Sequence, residues 1–397
     1  MKKFIFLFFI SFIHTSFAQK QTLFLDKNLD DVVKQSKVEK KPIVVMYYAT
    51  WCSHCNKMKN DVFVEPEVIN FYNNNYICMA VDAESPEGTN LKNRFQDKFK
   101  VKSYPTFTFI DSNENLLSCI SGEFKKDEFI TEGKNALIPE NQFNNIKNKF
   151  NADASNADNC LKFIVIARKA GFDATPITQK YLKTKSKEEL FSELNWRIMA
   201  NGINDIEAEE IKFIADNQVE FAKVSSPVRV EKKLVFIASD NLRNYAELGD
   251  SINYNKKRPI AASFKIRKVD SLLFRYDLMI SERTANWKRY EAVANANVEK
   301  FAWKDSNTLI EISSNFLGFI TDKKGINNAI DWSKQALLLG ESIEKYKVIS
   351  RLYLKNRDFK SAMEYAEKGK TAATNFGWNT DEMDQLITEI KSKPNEN

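Results

Sequence analysis

Two cysteines three positions apart, Cys52 and Cys55, stand in the stretch Trp51-Cys52-Ser53-His54-Cys55. Thiols at this spacing on one helical turn can close a small disulfide ring, so the chemistry they offer is two-electron thiol–disulfide exchange. The elements that must position them flank the motif directly. The run Pro42-Ile43-Val44-Val45-Met46-Tyr47-Tyr48-Ala49 is short, β-branched and aromatic, and reads as a buried strand. Asn56 to Phe63 has no Gly or Pro and reads as a helix. The cysteines then lie at a helix N-terminus, where partial positive charge favours a thiolate at the first of them, the reactive species. The competing use of such a pair is half a zinc site, but a closed site needs four ligands. Beyond residue 18 the chain has one histidine, His54, and it lies inside the motif. The expectation is no metal and no cofactor.

The chain of 397 residues is long enough for two or three domains, and its 11 glycines and 9 prolines point to much helix and few turns. Its net charge of +6 is spread among interspersed acids and bases, which gives no footprint for nucleic acid. Residues 1–18 read as a signal peptide. Lys2-Lys3 is the basic start, Phe4 to Ile13 the apolar stretch, and Ser16-Phe17-Ala18 the small-residue site before Gln19. The apolar stretch is short against the roughly 20 residues needed to span a bilayer. The reading is an exported protein, periplasmic or extracellular, soluble and without a membrane span after cleavage. Five sparse cysteines, an odd number, exclude a disulfide-stapled scaffold.

In order, the chain reads as a short strand at 21–25, a helix at 28–38, the strand before the motif and the helix after it, which Pro66 interrupts. Then come a strand at 76–82, a helix at 91–99, strands at 106–110 and 116–120, and a closing helix at 126–137. The order β-α-β-α-β-α-β-β-α, the strand end Tyr48-Ala49-Thr50-Trp51-Cys52-Ser53-His54-Cys55, the run Tyr104-Pro105-Thr106 and the bend at Gly122 together resemble the thioredoxin family. The resemblance covers residues 21–138. It implies an α/β thioredoxin fold, a central mixed sheet flanked by helices. It also implies that Cys52 is the nucleophile, Cys55 the resolving thiol, Trp51 a neighbour of the site, and Pro105 a cis proline facing the cysteines. His54 lies between the cysteines, and its positive form would favour the Cys52 thiolate; the alternative is a solvated side chain that tunes little.

The departures from the family matter. A buried acid usually stands six residues before the first cysteine, and Met46 stands there. A lysine usually stands four residues before the acid that ends the third strand; counting back from Asp82 gives Cys78. Losing both members of a buried charged pair leaves no stranded charge. It also leaves no internal carboxylate to take the proton from Cys55, so that task falls to water or His54. Cys78 reads as a small buried hydrophobe, Cys119 as lying too far across the sheet to bridge to it, and Cys160 as a buried thiol.

The remainder reads as all-α. Residues 141–159, rich in Asn and Asp, read as a linker, 160–300 as a divergent helical region, and 392–397 as a disordered tail. Within 301–391, Tyr346-x-x-Ile349-Ser350-x-x-Tyr353 with Ala362-x-x-x-Ala366 resembles a tetratricopeptide repeat. A weaker copy runs through Ser313, Phe316, Leu317 and Ile320, then Ala329 to Ser333. Such units stack, so the helices from 160 onward are expected in the same solenoid. The aromatics Trp287, Tyr290, Trp303, Phe316 and Phe319 are expected in its core.

The functional expectation is a thiol–disulfide oxidoreductase acting on exported proteins, with helical repeats positioning a partner and a membrane-bound electron donor as a further partner. The alternative is an interaction scaffold with an auxiliary redox domain.

Overall fold

The computed structural model describes residues 23–26 and 28–393. The signal peptide read at 1–18 and the last four residues of the tail lie outside the described residues. Two compact units divide the chain between Ile203 and Asn204.

In the first unit, β1 (Leu25–Asp26) is followed by α1 (Leu29–Glu39), capped by the Asn28 side chain, which accepts from the Asp30 N–H. Next come β2 (Ile43–Tyr48), α2 (Ser53–Lys57) and a wider π turn over Met58–Val62. A new helix, α3 (Pro66–Asn75), starts on Pro66, whose missing N–H is no loss in a first turn. β3 (Ile77–Asp82), α4 (Pro86–Arg94), β4 (Thr106–Ile110), β5 (Leu116–Ser121) and α5 (Lys126–Leu137) complete the series. The helix expected over 91–99 starts earlier, at Pro86, and stops at Arg94. Phe95 and Phe99 are still buried, but from turns.

The strands form one sheet in the order β1-β3-β2-β4-β5. β2 pairs in parallel with β3 and antiparallel with β4, and β4 pairs antiparallel with β5. Both faces of β2 are covered, which is why its sequence is apolar at every position rather than at alternate ones. Val44 and Met46 face a core shared with Cys55, Met58, Tyr72, Phe107 and Phe129. Ile43, Val45 and Tyr47 face a second core with Leu29, Phe95 and Phe99.

That second core corrects the expected domain plan. Residues 141–159 are not a linker, for they contain α6 (Phe143–Ala152), whose Phe143, Ile146 and Phe150 are buried in the same cluster as Ile43 and Tyr47. α7 (Ala157–Lys169) adds Cys160, Phe163 and Ile164, and α8 (Thr175–Leu182) and α9 (Glu193–Gly202) add Tyr181 and Ile198. The Asn residues that suggested a linker, Asn144, Asn145, Asn148 and Asn151, lie on the exposed face of α6, while its apolar stripe faces the sheet core. Helices 157–202 therefore belong with the sheet and not with a solenoid that begins at 160.

The second unit is helical among its described residues: α10 (Glu209–Asp216), α11 (Gln218–Val224), α12 (Pro227–Leu248), α13 (Ser251–Ala262), α14 (Arg267–Arg283), α15 (Trp287–Phe301), α16 (Ser306–Phe319), α17 (Lys323–Leu338), α18 (Ile343–Lys355), α19 (Phe359–Phe376) and α20 (Asp381–Lys391). Two successive pairs share one contact. Ser313 Oγ of α16 donates to the Ala329 carbonyl of α17 at 3.1 Å, and Ser350 Oγ of α18 donates to the Ala362 carbonyl of α19 at 2.7 Å. Small residues at these points let the paired backbones approach closely. Of the expected core aromatics, Tyr290 and Phe316 are buried. Phe319 is 53% exposed and instead stacks on Trp287 with ring centroids 3.8 Å apart.

Candidate functional site

β2 ends at Tyr48, and the chain turns when the Cys52 N–H donates to the Ala49 carbonyl at 3.2 Å. Cys52 is the N-cap of α2: its sulfur accepts from the Cys55 N–H at 3.1 Å. The two sulfurs are joined in a disulfide, with Cα atoms 5.3 Å apart. Cys52 is 4% exposed and Cys55 0%, so the first cysteine is the more accessible one, though less open than a solvated helix start. In the dithiol form the Cys55 amide would point at a sulfur that gains from carrying charge, because an N–H donor favours a thiolate over a thiol.

Trp51, His54 and Pro105, the other predicted site residues, each have a defined partner. Trp51 stands out from the core at 70% exposure, and its Nε1 donates to Glu84 Oε2 at 2.9 Å. Its ring meets Tyr104 edge-on, with centroids 6.0 Å apart. Tyr104–Pro105 is a cis peptide, and the Pro105 carbonyl accepts from the Gly122 N–H at 2.8 Å. His54 is exposed, with Nδ1 2.8 Å from Glu123 Oε2; Lys57 Nζ lies 3.6 Å from the other oxygen of that carboxylate. The His54 hydrogen bond and then the Lys57 charge hold the Glu123 carboxyl below the usual carboxylate range.

Beneath the disulfide the floor is apolar. Met46 and Cys78 are both buried in the cluster that contains Cys55. On the sheet, Met46 lies opposite Ala80 and Phe107, and Cys78 opposite Val44. At the upper end of the sheet Lys59 Nζ sits 3.6 Å above the Tyr48 ring centroid. Burial pushes its ammonium below the ordinary lysine value, and the Asp82 charge opposes that shift. Cys119 is buried on β5, separated from Cys78 on β3 by both β2 and β4, and in the core of the opposite face, so the two do not bridge. Burial pushes the Cys119 and Cys160 thiols up to about 12.

Sequence reasoning did not find Glu84, Glu123 or Lys59. Glu123 follows the Gly122 bend, but it meets His54 across 69 residues, and no periodicity links the two. Among the described residues no group of three or more His, Cys, Asp or Glu side chains could hold a metal.

Residues 29–137 match the family model of the thioredoxin-like domain. The chain carries a thioredoxin-like domain. Over 78 residues it is 31% identical to thioredoxin-1 of Drosophila melanogaster, a match covering 20% of this chain and 64% of that protein. Over 91 residues it is 33% identical to protein disulfide isomerase-like 1-2 of Oryza sativa subsp. japonica, covering 23% of this chain and 16% of that protein. The chain thus spans less than two thirds of the length of either relative. Among solved structures, the oxidised C-terminal domain of Neisseria meningitidis DsbD is similar at 22% identity and a TM-score of 0.24, over 28% of this chain and 97% of that one. The matched segment of the thioredoxin-like domain holds the disulfide, His54, Glu84, the cis proline and Glu123. It stops before α6 to α9, which cover one face of its sheet.

Proposed function

We propose that the protein is a thiol–disulfide oxidoreductase whose working pair is Cys52 and Cys55, with exported proteins as clients. The observation that carries the reading is the disulfide at the start of α2, with the Cys55 amide donating to the Cys52 sulfur and Cys52 the more accessible of the two. In the reducing direction the Cys52 thiolate attacks a client disulfide. One client sulfur leaves as a thiolate and Cys52 is held in a mixed disulfide. Cys55 then loses its proton and attacks Cys52, the Cys52–client bond breaks, and the client's second sulfur leaves as a thiolate. Two electrons have passed from the dithiol to the client, and the enzyme disulfide has formed. The oxidising direction is the reverse.

Trp51 and Tyr104 form the aromatic rim against which a client segment would lie, beside the cis Tyr104–Pro105 peptide. The basic and apolar start of the sequence supports export, and a membrane-bound reductant would then keep the pair reduced. The two serine-linked helix pairs support reading 301–391 as tetratricopeptide-like repeats that dock a partner. No helix among the described residues is long and apolar enough to cross a membrane.

The test is a Cys55→Ser variant, which is expected to accumulate a mixed disulfide through Cys52 with a disulfide-containing client; Cys52→Ser is expected to trap nothing. Equal trapping by both variants would refute the assignment. The reduction potential then gives the direction: about −270 mV marks a reductase and about −120 mV an oxidase.

A further inference from the structure

The strap Gly122–Glu123–Phe124 closes one side of the site, and each residue holds a different part of it. The Gly122 N–H donates to the Pro105 carbonyl at 2.8 Å. The Phe124 N–H donates to Met58 Sδ at 3.2 Å, on the π turn that continues α2. Between these anchors the Glu123 carboxylate meets His54 Nδ1 at 2.8 Å and Lys57 Nζ at 3.6 Å. Gly122 has φ +108°, a region that L side chains rarely adopt. Exposed ion pairs between two unanchored side chains contribute little. Here the backbone on both sides of Glu123 is tied to the cis-proline loop and to the active-site helix, so the residue that carries the carboxylate is fixed beside His54.

The apolar floor adds a second observation. Met46 and Cys78 are buried in the apolar cluster that holds Cys55, and among the described residues of the first unit no Asp or Glu is buried. Exchange still requires that a thiol proton leave the pair each time the dithiol attacks. We propose that Glu123 is a positioning residue of the redox site: it accepts the Nδ1–H of His54, fixes that tautomer, and leaves Nε2 as the atom that takes up the thiol proton and returns it to solvent. The proposal rests on the thiol–disulfide reading above. The balance is a proton transfer only: a cysteine S–H bond breaks, an Nε2–H bond forms, and the electron pair stays on sulfur as the attacking thiolate. Lys57 also faces Glu123, and the His54 hydrogen bond and then the Lys57 charge shift that carboxyl downward from its ordinary value. A buried acid under the sheet would do this work from below; here it would be done from the rim by a pair that the strap assembles.

The experiment measures the rate at which the fully reduced full-length protein reduces oxidised glutathione between pH 5.5 and 9. The variants are Glu123→Gln, His54→Gln and the double variant, with thermal unfolding followed in parallel. Both single variants are expected to be slower below pH 7, by about tenfold at most because the imidazole is exposed. They are expected to converge on wild type by pH 9, where the thiols ionise unaided. The double variant is expected to be no slower than His54→Gln, and added imidazole to restore His54→Gln. A Glu123→Gln variant with an unchanged pH profile would overturn the proposal, as would a Glu123→Gln effect that persists undiminished in the His54→Gln background. A loss of rate that merely follows a lowered unfolding temperature, with no change in profile shape, would also overturn it. No exchange by the wild-type protein at any pH would instead refute the oxidoreductase reading itself.

Discussion

The Lys100 N–H donates to the Ala170 carbonyl at 2.8 Å, joining the segment that leads to the cis proline to the end of α7. Gly171 follows with φ +80°, and a Cβ there would stand 2.4 Å from the Lys100 carbonyl oxygen, so only glycine fits this close approach. Helices beyond the thioredoxin-like domain thus brace the loop that carries Pro105.

A chain cut at residue 140 is therefore expected to expose the sheet face of Ile43, Val45 and Tyr47, bind a hydrophobic dye and aggregate. A chain extending to Ile203 is expected to unfold in one cooperative transition. Within the full chain, Phe150→Ala should cost about 3–5 kcal/mol by denaturant unfolding, since its ring is buried in that core. A cost below about 1 kcal/mol would mean that α6 does not cover the sheet.

Cys119 gives an alkaline signature. Its thiol is pushed up to about 12 by burial, while an unfolded cysteine titrates at about 8.5. Between those values the folded state keeps a proton that the unfolded state has lost, so stability falls as pH rises through the window. In Cys119→Ala the slope of stability against pH above about 9 should be smaller than in wild type. In the native reduced protein at pH 8, iodoacetamide should label Cys52 first and leave Cys119 and Cys160 untouched until unfolding.

Met46→Asp places a carboxyl under the disulfide in a fully buried apolar position. Burial should raise its pKa above the unfolded value of about 3.9. The protonated form then persists in the folded state, and stability should decline as pH rises above that value, by about 2–5 kcal/mol at neutrality. If the missing internal acid limits exchange, the pH–rate profile should gain a new step. An unchanged profile would show that proton removal does not depend on a group below the pair.

In the second unit Asp277 is buried and accepts from Tyr254 Oη at 3.0 Å, from Arg258 Nη2 at 2.7 Å and from Arg289 Nη2 at 2.9 Å. Asp277→Ala would strand two guanidinium groups and is expected to cost about 3–5 kcal/mol. Calorimetry of the full chain checks this. Exchange with a small disulfide should be unchanged, because the cysteine pair lies in the other unit.

The sequence by itself determined what is local. The apolar run at 42–49, the helix start at Cys52, the Pro105 and Gly122 positions and the burial of Cys78, Cys119 and Cys160 were all legible. Each depends on side chains within a few residues of one another or on a motif with fixed spacing. The helix bounds after Pro86 and Pro66 were less so, because capping by Ser85 and the π turn at Met58 shift the ends. Only the tertiary structure decided which surface an amphipathic stripe covers. Phe143, Ile146 and Phe150 announce a buried face, but periodicity does not say against what, and the exposed Asn residues between them read the same in a linker or on a packed helix. It also decided the partners of Trp51 and His54. Glu84 and Glu123 lie 33 and 69 residues from them in the chain, and nothing in a one-dimensional pattern encodes a contact made by sheet order.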